Sequence, residues 1–524
     1  MKSETLCASR YPRKANKSFP DPVFLRITRT LPKPGNRKLN AACGKVRNSM
    51  RISRLRANSL FLHDWEIQAG ESWCVIGGNA SGKGLLASVL TGELNPESGE
   101  INNLPCPARC VSFEQQNAFY EEQLRNDDTD FIDRLDTGST GLEVLQQSGC
   151  SRSSAIELAD RLGVGYILER GYRLLSSGEA RKLMLLKEIL AEPAMLILDE
   201  PFEGLDPKSR DQVNDLTSSL VQEGHLILLL VNRLDDVPDW TTHLGILQKG
   251  ELIATGRREK IVSKPELHQL FAFNESAVPE LPAPLETEPV FDPILELNDG
   301  KVQYGDTLQF SGFDWILRSG EHTLITGPNG AGKSTLLQLV SGDHPQCYCN
   351  DLKILGFQRG TGESVWEIKR HIGLVSASLH RDYRAPGNAI TTVVSGFFDS
   401  IGLYQKPNAQ QLKLAAGWLS VMGLEKQANT SFRQLSWGQQ RMVLIARGLI
   451  KQPALMILDE PTQGLDDLNR HLVLAFIQRL ADLKRTTFLF VSHREDEHLP
   501  LFKRRIVFRK MPTGTSPLFA ARWK

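Results

Sequence analysis

Long apolar runs are missing from this sequence. The best of them, Leu226 to Val231, is strand-sized, whereas a membrane-spanning helix needs roughly 18 or more such residues in a row. If the function involves a membrane, other chains must supply the spans. Aromatic residues are sparse at 7%, which leaves no broad stacking surface for single-stranded nucleic acid. Cysteine is thin as well. The closest pairs, Cys106 with Cys110 and Cys347 with Cys349, have no second pair or histidine cluster at zinc-finger spacing, and they read as incidental thiols of a reducing compartment. Nor does one charge sign dominate, with 62 Lys and Arg against 61 Asp and Glu.

That balance hides a gradient. Residues 1–56 carry 15 of the basic side chains and only two acids, Glu4 and Asp21. The rest is acidic, which argues against binding along a phosphate backbone, so nucleic acid is not an expected partner. The basic start lacks the apolar core of a secretory signal. It reads as a leader or arm, as a transit-like segment, or as the result of a start codon set too early. Met50 stands just before the first domain-like pattern, and the last reading is favoured.

A chain of 524 residues, 41% hydrophobic and 23% charged, predicts two to four domains. An internal repeat organises them. GGNASGKG starts at Gly77 and GPNGAGKS at Gly327, 250 residues apart. LSSGEARK at Leu175 and LSWGQQRM at Leu435 are 260 apart, as are Asp199 and Asp459 in two ILDEP stretches and Gly204 and Gly464 in two GLD triplets. Residues 275–293 between the halves are rich in Pro and Glu and without periodicity, a short extended linker. The expected division is a basic segment 1–49, a first domain 50–274, the linker 275–293 and a second domain 294–524. Each half alternates strand-like and helix-like segments, which predicts an α/β fold on a parallel sheet with ligands at the carboxyl ends of its strands.

The repeated motifs carry chemistry. GPNGAGKS is a complete phosphate loop, whose glycines let backbone N–H groups curl around phosphate oxygens at a helix start. Gly327, Asn329, Gly330, Gly332, Lys333, Ser334 and Thr335 are the expected binding residues, with the Ser334 hydroxyl available to magnesium. Gly77, Gly82 and Lys83 form the weaker copy, where Gly84 replaces that hydroxyl residue. Asp199 and Asp459 end apolar strands and are expected to hold magnesium, while Glu200 and Glu460 are placed to orient an attacking water. His493 ends another apolar strand and is expected at a γ-phosphate.

With LSSGE and LSWGQ each placed 23 residues before the aspartate, residues 50–510 resemble the ATP-binding cassette (ABC) ATPases. The resemblance implies two P-loop NTPase cassettes packed head to tail, each with a parallel-sheet core and a helical subdomain, hydrolysing ATP with Mg2+. Each ATP would lie between one phosphate loop and the opposite signature, so Ser176, Gly178 and Glu179 would complete the Lys333 site, and Ser436, Gly438 and Gln439 the Lys83 site. Asp206 and Asp466, in the GLD triplets, join the same set. Tyr304 suits the adenine-stacking position, and the same count back from the first loop gives Arg54. Gln115 suits the Q-loop position, for which the second half has no Gln in VSASL, and Arg233 stands where the second half has His493. The Lys333 site is expected to be the working one.

The stretch 341–384 also resembles tandem cassette proteins associated by name with molybdate transport. Three functions follow. One is an energy-coupling subunit bound to permease subunits at the inner face of the plasma membrane. The second is a ribosome-linked protein, disfavoured because tandem cassettes of that kind carry a long charged helical linker. The third is a regulatory or DNA-linked ATPase. A cytoplasmic protein, peripheral if membrane-associated, is expected.

Overall fold

A computed structural model of the chain describes residues 49–126, 136–265, 267, 279–305, 307–511 and 519–523. The described residues belong to one unit, Gly44–Lys524. Nearly all of the basic segment 1–49 and the first residues of the linker lie outside the described residues.

The first half contributes β1 (Met50–Ala57), β2 (Leu60–Ile67), β3 (Trp73–Ile76), β4 (Ser98–Asn102), β5 (Ala108–Val111), β6 (Met195–Asp199), β7 (Leu226–Val231), β8 (His243–Gln248) and β9 (Glu251–Arg257). The second half contributes β10 (Leu295–Tyr304), β11 (Thr307–Leu317), β12 (Thr323–Thr326), β13 (Asp351–Ile354), β14 (Phe357–Gln358), β15 (Ile372–Val375), β16 (Leu455–Asp459), β17 (Thr487–Val491), β18 (Arg504–Lys510) and β19 (Phe519–Trp523). In the first half the order β5-β6-β7-β3-β8 is parallel throughout. In the second half β15-β16-β17-β12-β18 repeats it strand for strand. Strands such as WCVI, LILLLV and TFLFV are buried on both faces, as a parallel sheet covered by helices requires.

Four helices position the chemistry: α1 (Lys83–Thr91), α2 (Ser177–Leu190), α3 (Lys333–Ser341) and α4 (Trp437–Leu449). The central strands β3 and β12 each run into a phosphate loop and then into α1 or α3. The N-caps of these two helices, Gly82 and Gly332, have φ of 108° and 98°, a left-handed turn that glycine adopts without a side-chain penalty. A separate apolar cluster gathers the helical parts of the second half around Trp418, Phe432 and the inner face of α4. Residues 279–293 lie along this half: the Gln452 amide donates to Pro282 O, Arg479 to Pro279 O, and His371 Nδ1 sits 2.5 Å from Glu288 Oε2.

Candidate functional site

Both phosphate loops meet the opposite half. Asn79 N–H donates to Asp466 Oδ2 (2.7 Å), and its side-chain amide donates to Gly464 O (3.1 Å). Asn329 repeats the pattern with Asp206 Oδ2 (3.4 Å) and Gly204 O (3.3 Å). Gly438 faces the Asn79 amide so closely that a Cβ would collide with it, and a Cβ at Gly178 would sit tightly against the Asn329 amide, at 3.2 Å. The head-to-tail arrangement is therefore present on both sides. Around Lys333 it encloses a cleft of about 330 Å³, lined among others by Ser176, Gly178, Asn329, Lys333, Ser334, Thr335, Asp459 and Glu460.

Asp459 and Glu460 end β16, and Glu460 has φ of 49°. A positive φ at a non-glycine residue is strained, and such strain clusters at functional sites. Glu200 matches it at 52°. Arg441 on α4 reaches the carbonyls of Asp459, Glu460 and Pro461 and also Ser376 O, while Arg181 on α2 reaches Glu200 O. These arginines tie each signature helix to the acidic strand end of its own half. The sequence reading missed them, although the repeat displayed them: both signature copies carry Arg at the same place, LSSGEAR and LSWGQQR.

The two acidic centres differ electrostatically. Burial would raise the Glu460 carboxyl, but the neighbouring His493, with Lys333 and Arg441 behind it, brings it below the ordinary carboxylate range. His493 Nε2 lies 3.0 Å from Glu460 Oε1. Burial pushes Glu200 well up, and Asp199, Asp236 and Glu203 push the same way against Lys83. Lys83 Nζ is 3.9 Å from Glu200 Oε1, an oxygen that has no hydrogen-bond partner. Burial raises Asp199 and Asp459 as well, with Ser334 acting to lower Asp459. At the matching place in the first half stands Gly84, which has no hydroxyl.

Glu179 and Gln439 are held within their own helices. Each sits three residues past the cap serine, Ser176 or Ser436, and turns back to accept its N–H in a capping box. Glu179 also accepts from Tyr166 (2.8 Å). Ser112 and Ser376 cap corresponding helices, so Gln115 matches Leu379, and the side chain that feels Asp199 and Lys83 is its neighbour Glu114, raised mainly by burial.

Arg233 is not the counterpart of His493. Glu200 N–H donates to Leu230 O and Glu460 N–H to Val491 O, so the register pairs Leu230 with Val491 and places Asn232 opposite His493. One extra residue in the turn before β17 shifts the count. Asn232 Oδ1 accepts from Lys83 Nζ at 2.5 Å. Arg233 instead crosses to the other half, donating to Thr462 O and Leu465 O. Its true counterpart Arg494 crosses back toward Asp235 and Asp236, at 3.7 and 3.9 Å.

Arg54 is likewise no match for Tyr304. The hairpin β1–β2 turns after Ala57 pairs with Leu60, whereas β10–β11 runs on to Tyr304 and Thr307. Arg54 shares its kink, φ of 47°, with Asp299 at 48°. Tyr304 stands half-exposed at the mouth of the Lys333 cleft, beside Gln309, whose amide donates to Gly330 O.

A family model described as ABC transporter matches residues 62–203 and 310–463. The chain belongs to this family, and with both halves matched it is a tandem ABC ATPase, an ATP hydrolase. The ABC transporter ATP-binding protein ModF of Escherichia coli is 41% identical to it over 87% of this chain and 94% of its own length. An ABC transporter ATP-binding protein of Schizosaccharomyces pombe is 25% identical over 83% of this chain and 91% of its own. Among solved structures, ABCE1 in ribosome-bound archaeal Pelota and ABCE1 shares the fold at a TM-score of 0.60 and 19% identity, covering 90% of this chain and 78% of that one.

Proposed function

We propose that ATP is hydrolysed at the Lys333 site, and that the Lys83 site binds nucleotide with little turnover. The observation that supports this best is the 3.0 Å contact of His493 with a Glu460 held ionised. In this reading Gly327, Asn329, Gly330, Gly332 and Thr335 cradle the phosphates, and Lys333 turns from the carbonyls of Gly327 and Pro328 onto the β- and γ-phosphates. Ser176 and Gly178 close over the γ-phosphate, with Asp206 fixing Asn329. Glu460 orients the attacking water and takes its proton, and His493 holds Glu460 in place. The oxygen donors Ser334 and Asp459 suit Mg2+, which favours a few protein oxygens together with substrate phosphates, and the ion would neutralise charge on the transferring group. At the other site Lys83, Gly77, Gly82, Asp199, Asp466, Ser436 and Gly438 would bind nucleotide. The boundaries 50–274 and 294–524 fit the strands that open each half, at Met50 and Leu295. Steady-state hydrolysis under saturating ATP and Mg2+ tests the assignment. Glu460→Gln is expected to remove nearly all turnover and Glu200→Gln to leave a substantial fraction. Equal losses, or a larger loss from Glu200→Gln, overturn it.

We infer further that this ATPase drives transport as a peripheral subunit on the cytoplasmic side of a membrane, docked on permease subunits from other chains. The relatives named as ABC transporter ATP-binding proteins support this, and among the described residues no helix is long and apolar enough to cross a membrane. The likeness in 341–384 makes molybdate the first solute to test. Affinity capture from native membranes, with mass spectrometry of what is bound, is expected to recover permease subunits. Recovery of ribosomal subunits or DNA-bound proteins in their place would replace this reading with a transport-free one.

A further inference from the structure

The hairpin β10–β11 projects beyond its first-half equivalent and carries Tyr304 at its tip. A free hairpin tip would hold an aromatic ring poorly. Here the tip is stitched to the turn Pro345–Cys349, which follows α3 directly. Gln346 exchanges two hydrogen bonds with the backbone of Gln303: Gln303 N–H donates to Gln346 Oε1 (3.0 Å), and Gln346 Nε2 donates to Gln303 O (2.5 Å). Asn350 does the same for Lys301, at 2.8 and 3.0 Å. Two side-chain amides thus act as a substitute strand along the end of β10, satisfying backbone groups that would otherwise face water.

His344 completes the arrangement. It is 7% exposed, and its own N–H donates to Gln338 O at the end of α3. Its Nδ1 accepts from Gln346 N–H (3.2 Å). That fixes the neutral tautomer with the proton on Nε2, and this N–H reaches the Tyr304 hydroxyl at 3.1 Å. The two rings meet edge to face, with centroids 5.8 Å apart. His344 does not line the cleft; it stands behind Tyr304. The first half has neither the longer hairpin nor this turn: after α1 its chain leads instead to β4, which pairs with β1.

We propose that His344 is a positioning residue for nucleotide binding: by holding the Tyr304 hydroxyl it fixes the ring as a stacking platform for the purine base at the Lys333 cleft. This rests on the assignment of that cleft as the ATP site. Preorganising an aromatic platform lowers the entropy lost on binding and leaves phosphoryl transfer alone. The effect should therefore fall on KM and spare kcat.

The test uses the full chain and steady-state ATP hydrolysis, with binding of a fluorescent ATP analogue as a second readout. His344→Ala and Tyr304→Phe each delete one end of the same hydrogen bond, and Tyr304→Phe also removes the 3.5 Å contact of that hydroxyl with Thr335 Oγ1. Each is expected to raise KM several-fold with kcat within about twofold, and the double variant should be no worse than the more affected single one, because contacting residues are non-additive. His344→Gln keeps an N–H donor at similar reach and should recover most of the affinity. Additive losses, a fall in kcat at unchanged KM, or no rescue by Gln would overturn the role of His344. Tyr304→Ala separates the two levels. If it raises KM while His344→Ala and Tyr304→Phe do not, the platform stands and His344 has no part in it. If Tyr304→Ala changes neither KM nor analogue binding, both the platform at this cleft and the role given to His344 fail.

Discussion

The two nucleotide sites are built on the same strands, in the same order, with the same head-to-tail neighbours, yet a few substitutions give them opposite electrostatics. At the Lys333 site a histidine just past the end of the next strand lies 3.0 Å from the Glu460 carboxylate, and Lys333 rests on carbonyls of its own loop. At the Lys83 site Asn232 occupies the histidine's place and binds the lysine. Glu200 has Lys83 at 3.9 Å set against burial and three acids, which favour its neutral form. A neutral carboxyl is a poor proton acceptor, and without the Ser334-type hydroxyl the metal also loses an oxygen. The difference lies in what surrounds one glutamate more than in the shape of the loop.

The sharpest way to break this comparison is to make the second half resemble the first. His493→Asn should lower kcat by roughly 10- to 100-fold, the scale for losing a group that orients a catalytic residue, and should leave KM for ATP near its original value. It should also move the acid limb of the pH profile to higher pH, because His493 no longer lowers the Glu460 carboxyl. Turnover measured between pH 5.5 and 8 checks this. An unchanged rate would mean that the His493–Glu460 contact has no part in the chemistry.

Much of this was legible in the letters, and the exceptions share one cause. The doubled loop, signature and ILDEP motifs predict an α/β tandem, because each motif marks a strand end where backbone geometry and chemistry coincide. What failed was counting between motifs. Asn232 was passed over for Arg233 because one residue was added in the turn before β17, and Arg54 was matched to Tyr304 because the first hairpin spans 50–67 and the second 295–317. Turns tolerate such changes at little cost, so equal sequence spacing does not guarantee equal positions. Glu179 and Gln439 show a second effect. Side chains three residues past a cap serine have a local hydrogen bond available that competes with any ligand.

A milder test runs the other way. In a Glu460→Gln background, where the remaining turnover comes from the first half, Gly84→Ser and Asn232→His together should raise hydrolysis several-fold. The serine has room, since a Cβ at Gly84 meets nothing within 4 Å, and it restores an oxygen beside Asp199. The histidine would replace the amide that binds Lys83 and bring a cation toward Glu200. Gly84→Ser alone should do less than the pair. If the pair adds nothing, the inactivity of the Lys83 site has a source outside these positions.

The smallest expected effect is on stability, and its sign follows from the raised Glu200. Its carboxyl holds its proton in the folded protein to a higher pH than in the unfolded chain, whose value is about 4.3. Below pH 4 both states are protonated and the group contributes nothing. As pH rises the unfolded chain releases the proton while the fold resists, so the side chain destabilises the protein increasingly until the folded group ionises too. Glu200→Gln removes that burden without changing the shape of the residue. Its Tm should exceed the parent's at pH 8, and the gap should close as the buffer is taken toward pH 4.5. Glu460→Gln should behave in the opposite sense. Glu460 is held below the ordinary range, so its ionised form stabilises the fold at neutral pH and that contribution is lost as pH falls through its folded value. Its replacement should lower Tm at pH 8 and matter least in acid. Paired melting curves of the two variants across that range read the charge state of each glutamate independently of turnover. A shift of the same sign in both would show that the two sites do not differ in the way their geometry indicates.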